Sequence, residues 1–104
     1  MDNFKTVYRI LNFLKKSEQH DEFDDESFTA EYFGLTERQW ASTLERIIDD
    51  GHVKGVSIRF GADGYAVISM SNPRITTKGL EYLVENSLMR KAARLAKGIR
   101  EVLP

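Results

Sequence analysis

Arg38, Gln39, Ser42 and Arg46 recur at spacings of three and four, which places them on the water-facing side of one helix, and Arg59 follows on a stretch of alternating residues. These types suit nucleic acid. An arginine fork reads guanine or meets phosphate, and a side-chain amide reads adenine. The same surface carries Glu37, Glu45, Asp49 and Asp63, so carboxylates outnumber the three arginines. Duplex affinity comes largely from neutralised phosphates and released counterions, and electrostatics therefore disfavours DNA as the partner of this helix. Arg38 and Arg46 have an equally good structural use as partners of neighbouring acids such as Glu45 or Asp49. A second set, Arg90, Lys91, Arg94, Lys97 and Arg100, is a candidate partner-binding surface for phosphates, an acidic protein or the acidic stretch of another copy.

No arrangement points to catalysis. His20 lies beside Asp21, Glu22, Asp24 and Asp25, but the spacing lacks the central glycine of a calcium loop and matches no zinc pattern, so a solvated acidic loop is expected. His52 follows Asp49, Asp50 and Gly51 in a turn, suited to a helix-end contact. The Gly61-Ala62-Asp63-Gly64 stretch is a hairpin turn, without the helix and lysine of a phosphate-binding loop. Nothing pairs a nucleophile with a base and an orienting acid. The expectation is a non-enzymatic protein with no metal and no cofactor.

The 104 residues are 41% hydrophobic and 30% charged, with no cysteine, which suits one domain over residues 1–104 and removes disulfide, zinc-ribbon and thiol chemistry. No apolar run approaches the ~18 residues that span a bilayer, and Asp2, Lys5 and Arg9 interrupt the N-terminal stretch. A cytoplasmic location is expected, with no membrane contact. The formal net charge of −1 hides a strong polarity: +3 over residues 1–17, −9 over 18–51 and +5 over 52–104. Opposite-sign surfaces of this kind can each choose a partner, including a second copy.

Phe4, Val7, Tyr8, Leu11 and Leu14 predict a helix over 3–16. Ser27 predicts the cap of a short helix through Phe33, with Phe28, Tyr32 and Phe33 inward and Gly34 as its stop. Thr36, the Trp40-Leu44-Ile47-Ile48 stripe and Gly51 define a helix over 37–50. The period then changes to two. Val56, Ile58 and Phe60, a four-residue turn, and YAVISM make a hairpin that Pro73 ends, with both faces of YAVISM apolar. Thr76 caps a helix whose Leu80, Leu83 and Val84 point one way, and Ser87 caps a last, basic helix with a narrow alanine-rich stripe.

Three helices, the third following a Gly-containing turn, then a hairpin wing and two C-terminal helices, is the order of an α+β winged helix-turn-helix domain. LTERQW before the third helix, DGHVKGV after it, TTKGLEYLVEN after the hairpin and a closing charged helix extend the comparison. On these motifs the chain resembles the YjcQ family, small proteins of Gram-positive bacteria and their phages. The resemblance implies a winged-helix-like fold and a phage or prophage setting, and brings no ligand or functional residue. The expected role is DNA-binding or regulatory. The alternative is a protein-interaction module or homodimer, serving phage assembly or host takeover through oppositely charged surfaces.

Overall fold

The computed structural model describes residues 3–87. Helix α1 spans Asn3–Ser17 and buries Val7, Ile10, Leu11 and Leu14 on one stripe, while Lys15 and Lys16 oppose the negative end of its dipole. Phe4, expected in the core, is exposed, because the buried stripe begins only one turn later at Thr6 and Val7.

The chain from Glu18 to Thr36 is a series of turns: Glu18 to Glu26 form the solvated acidic loop expected, with every acid exposed, but the short helix expected from Ser27 through Phe33 does not form. Asp24 Oδ1 accepts from the Ser27 N–H at 3.2 Å, and Thr29 Oγ1 accepts from the Tyr32 N–H at 3.2 Å, so side chains hold the bends. A single helical turn starts at Thr29 and closes at once. The Gly34 N–H donates to the Glu31 carbonyl at 3.0 Å and the Leu35 N–H to Ala30 at 2.9 Å, with Gly34 at φ +71°. One turn gains too few backbone bonds to offset helix nucleation.

Rings hold this segment in place instead. Phe28 and Phe33 are buried with Trp40 of the next helix, Phe13 of α1 stacks on Phe28 at 5.6 Å, and Phe23 meets Phe28 edge-on at 5.4 Å. Arg9 adds a guanidinium 5.6 Å from the Phe33 ring centroid. Tyr32 touches Phe13 and Phe33 at the edge of the cluster and stays exposed, contrary to its expected inward place.

Helix α2 spans Glu37–Asp49 and buries Trp40, Ala41, Leu44 and Ile47. It starts in a reciprocal capping box between Thr36 and Gln39, and it ends with Gly51 at φ +78°, where the Gly51 and His52 N–H groups reach the carbonyls of Ile48 and Ile47.

Strands β1 (Val53–Phe60) and β2 (Ala66–Ile75) form an antiparallel hairpin joined by Gly61–Tyr65, one residue longer than expected. Its ladder breaks once: Lys54 faces Arg74 and Val56 faces Met70, so Gly55 stands against Ser71, Asn72 and Pro73. Pro73 therefore lies inside β2, buried, within the bulge, where no ladder pair requires its N–H.

Residues 77–87 form helix α3. Thr76 ties it down: its N–H donates to the His52 carbonyl at 3.0 Å, its hydroxyl donates to the Gly51 carbonyl at 2.6 Å, and its Oγ1 accepts from the Gly79 N–H at 3.1 Å. Leu83 is buried and Leu80 partly so, but Val84 is exposed. Thr76→Ala, losing a cap and the hydroxyl bond to the Gly51 carbonyl, is expected to cost about 2 kcal/mol in urea unfolding, with Thr76→Ser retaining most of it. An unchanged midpoint for the alanine variant would refute this role.

Among the described residues the order is thus helix, helix, hairpin, helix, and the winged helix-turn-helix expectation is corrected. The helix meant to precede α2 is one turn held by rings, Ser87 is itself helical, and the last basic helix expected after it lies outside the described residues. No described helix is long and apolar enough to cross a membrane.

Candidate functional site at the hairpin groove

Register puts Val56 opposite Met70, Ile58 opposite Ile68 and Phe60 opposite Ala66, and directly opposed residues share a face. That face leaves the core as it runs outward. Val56 is 9% exposed, Ile58 and Ile68 are partly buried, and Phe60 is 59% exposed. Tyr65, in the turn, is 75% exposed.

Across from this outer half lies the water-facing side of α2, and the two enclose an open groove of about 770 Å³. Its apolar lining comes from Ala41, Phe60, Tyr65, Ala66 and Ile68, and its polar lining from Glu37, Arg38, Ser42 and Glu45. Such a surface can seat an apolar side chain and bond polar groups beside it. Ser42 and the Tyr65 phenol are the hydroxyls among the lining residues, with the carboxylates of Glu37 and Glu45 in the same lining.

The candidate DNA contacts do not converge here. Arg38 and Ser42 line the groove, with Glu37 and Glu45 beside them. Gln39 is occupied by its own helix, since its Oε1 accepts from the Thr36 N–H at 2.9 Å and its N–H donates to Thr36 Oγ1 at 3.1 Å. Arg46 is exposed outside the groove. Arg59 pairs with Val67, and strand alternation places both on the sheet face opposite Phe60 and Ile68. Arg90, Lys91, Arg94, Lys97 and Arg100 lie outside the described residues.

His20 and Asp21 border a shallower depression of about 410 Å³ with Glu18, Phe23, the bulge residues Asn72 and Pro73, and Arg74. Among the described residues no three acidic or histidine side chains are grouped to hold a metal. The His52 ring packs 5.0 Å from Tyr82 with its Nδ1 buried and unbonded, while its backbone closes α2 and receives Thr76.

Sequence reasoning missed Ala41, Phe60, Ala66 and Ile68 as groove residues. The signal is present in the hairpin, whose alternation of apolar residues runs further than a small core can cover and whose YAVISM strand is apolar on both faces.

A family model described as YjcQ protein matches residues 8–102. The chain belongs to the YjcQ family. No curated protein and no solved structure matches it. In this YjcQ-family chain the motifs of the resemblance have structural uses. LTERQW holds the capping residues and Trp40, DGHVKGV holds the stop of α2 and the bulge glycine, and TTKG holds the Thr76 junction. Of these, only Glu37 and Arg38 also line the groove.

Proposed function

We propose that this YjcQ-family protein is a non-enzymatic, cytoplasmic docking module whose α2–hairpin groove takes a short apolar segment of a partner protein. The observation that supports it best is the apolar hairpin face continuing past the core, with Phe60 and Tyr65 exposed above Ala41 and Ile68. Exposed apolar surface rimmed by polar groups favours protein contact. Glu37 and Glu45 can receive N–H donors of the segment, and Arg38 a carboxylate. A DNA-binding regulator would instead need Arg38, Arg46 and Arg59 on one positive strip, whereas Arg59 faces away from the groove and acids flank Arg38. In the phage or prophage setting implied by the resemblance, the partner is a host or virion protein.

A photo-crosslinking amino acid at position 65, compared with one at position 59, tests the reading in cells. A protein adduct is expected from position 65, absent from 59, and lost when Phe60→Asp is added. Failure to form any protein adduct, or equal adducts from both positions, overturns the reading. Salt-sensitive duplex binding lost in Arg38→Ala/Arg46→Ala, alongside such a failure, would return the function to DNA.

A further inference from the structure

The outer edge of β2 has a character that the groove does not use. Gly64 to Pro73 are ten consecutive residues without a charge, the longest such run in a chain that is 30% charged. Val67, Ser69, Met70 and Ser71 are all exposed there. β1, by contrast, carries the exposed cations Lys54 and Arg59. Among the described residues, no backbone hydrogen bond outside the hairpin's own ladder reaches residues 66–73. An edge strand turns half of its N–H and C=O groups away from its neighbour, so β2 presents a row open to another strand.

Soluble proteins usually guard such rows with lysine, proline or a bulge. Here the bulge and Pro73 both sit near the base of the hairpin, and residues 66–70 run in unbroken register with 56–60. This outer half is the unguarded part.

We propose that β2 pairs along this edge with β2 of a second copy, antiparallel about a twofold axis, joining two hairpins into a four-stranded sheet. Charge decides the occupant. An uncharged edge meets its own copy without like charges opposed in any register, and a net charge of −1 leaves little long-range repulsion between copies. The twofold also sets Ile68 and Met70 of one copy beside those of the other on a common face, extending the apolar surface. The inference concerns the strand edge, not the groove, so either reading can fail without the other.

The pairing is short. Five to seven residues span roughly 17–23 Å, and their contact falls below the ~800 Å² per partner of a standard interface, so a weak, concentration-dependent dimer follows. Sedimentation velocity of the full chain from about 10 µM to about 1 mM should show monomer passing to dimer. Ser69→Lys/Ser71→Lys should weaken the dimer at least ~10-fold, by opposing like charges across the twofold, as should Ser69→Glu/Ser71→Glu. Mixing the two variants should restore association as a heterodimer, a result that damage to the fold cannot produce. A wild-type monomer throughout, a dimer indifferent to both variants, or a mixture that stays monomeric overturns the proposal.

Discussion

Gly55→Val should lower the thermal midpoint by on the order of 12–20 °C, corresponding to about 3 kcal/mol or more. Gly55 has φ +81°, and a Cβ built there falls 2.5 Å from the Asn72 carbonyl oxygen and 2.6 Å from that of Ser71. Both neighbours are backbone, and neither can swing aside. The left-handed conformation alone costs a branched residue about 1–2 kcal/mol, and forced overpacking typically adds ~1–3 kcal/mol. Gly64→Ala is the matched control. Its φ of +83° carries similar backbone strain, but nothing lies within 4 Å of the added methyl, so a loss of only about 1 kcal/mol is expected. Equal midpoints for the two variants, read by circular dichroism, would show that the close approach at the bulge does not matter.

The Gly55 effect also reaches the candidate site. The bulge resets the register between the Lys54–Arg74 and Val56–Met70 pairs, and that register carries Phe60 and Ile68 onto the groove face. A one-residue slip would send them to the other side.

Phe28→Ala is expected to cost about 4 kcal/mol, the range for truncating a buried phenylalanine with further loss from its ring pairs. Phe28 is 2% exposed and meets Trp40 at 5.0 Å, Phe23 at 5.4 Å, Phe13 at 5.6 Å and Phe33 at 6.2 Å. It joins α1, the turn segment and α2 through one side chain. The segment from Glu18 to Thr36 has few backbone bonds of its own, so its loss of anchorage should appear as amide exchange and proteolysis at the acidic turns before global unfolding. Tyr32→Ala, at the exposed edge of the same cluster, should cost about 1 kcal/mol and leave the turns protected. Protection in the Phe28 variant equal to that of the parent would show that local hydrogen bonds, not rings, hold the segment.

Local signals make several elements legible in the sequence. Leu11 and Leu14, and likewise Trp40, Leu44 and Ile47, lie at helical spacing, and they are buried as that spacing predicts. Thr36, Gly51 and Thr76 mark helix ends because caps are decided by neighbours within a few residues, and each stands where it was expected. The change to period two after Gly51 marked the hairpin. By contrast, the Ser27–Phe33 segment carried a cap, inward aromatics and a glycine stop, yet it makes one turn. Rings from Phe13 and Trp40, distant in the chain, decide its path more strongly than its own weak nucleation.

Function was less legible for the same reason. The types of Arg38, Gln39, Ser42, Arg46 and Arg59 fit a single strip on paper. Where each one points depends on a capping bond, on strand parity and on what the hairpin faces across α2. Helix ends, the hairpin, the charge polarity and the family are all written in residue type and near-neighbour spacing. That the apolar hairpin face outruns the core, and that a groove opens beside α2, follows from packing alone, because exposure is set by what the rest of the chain is large enough to cover.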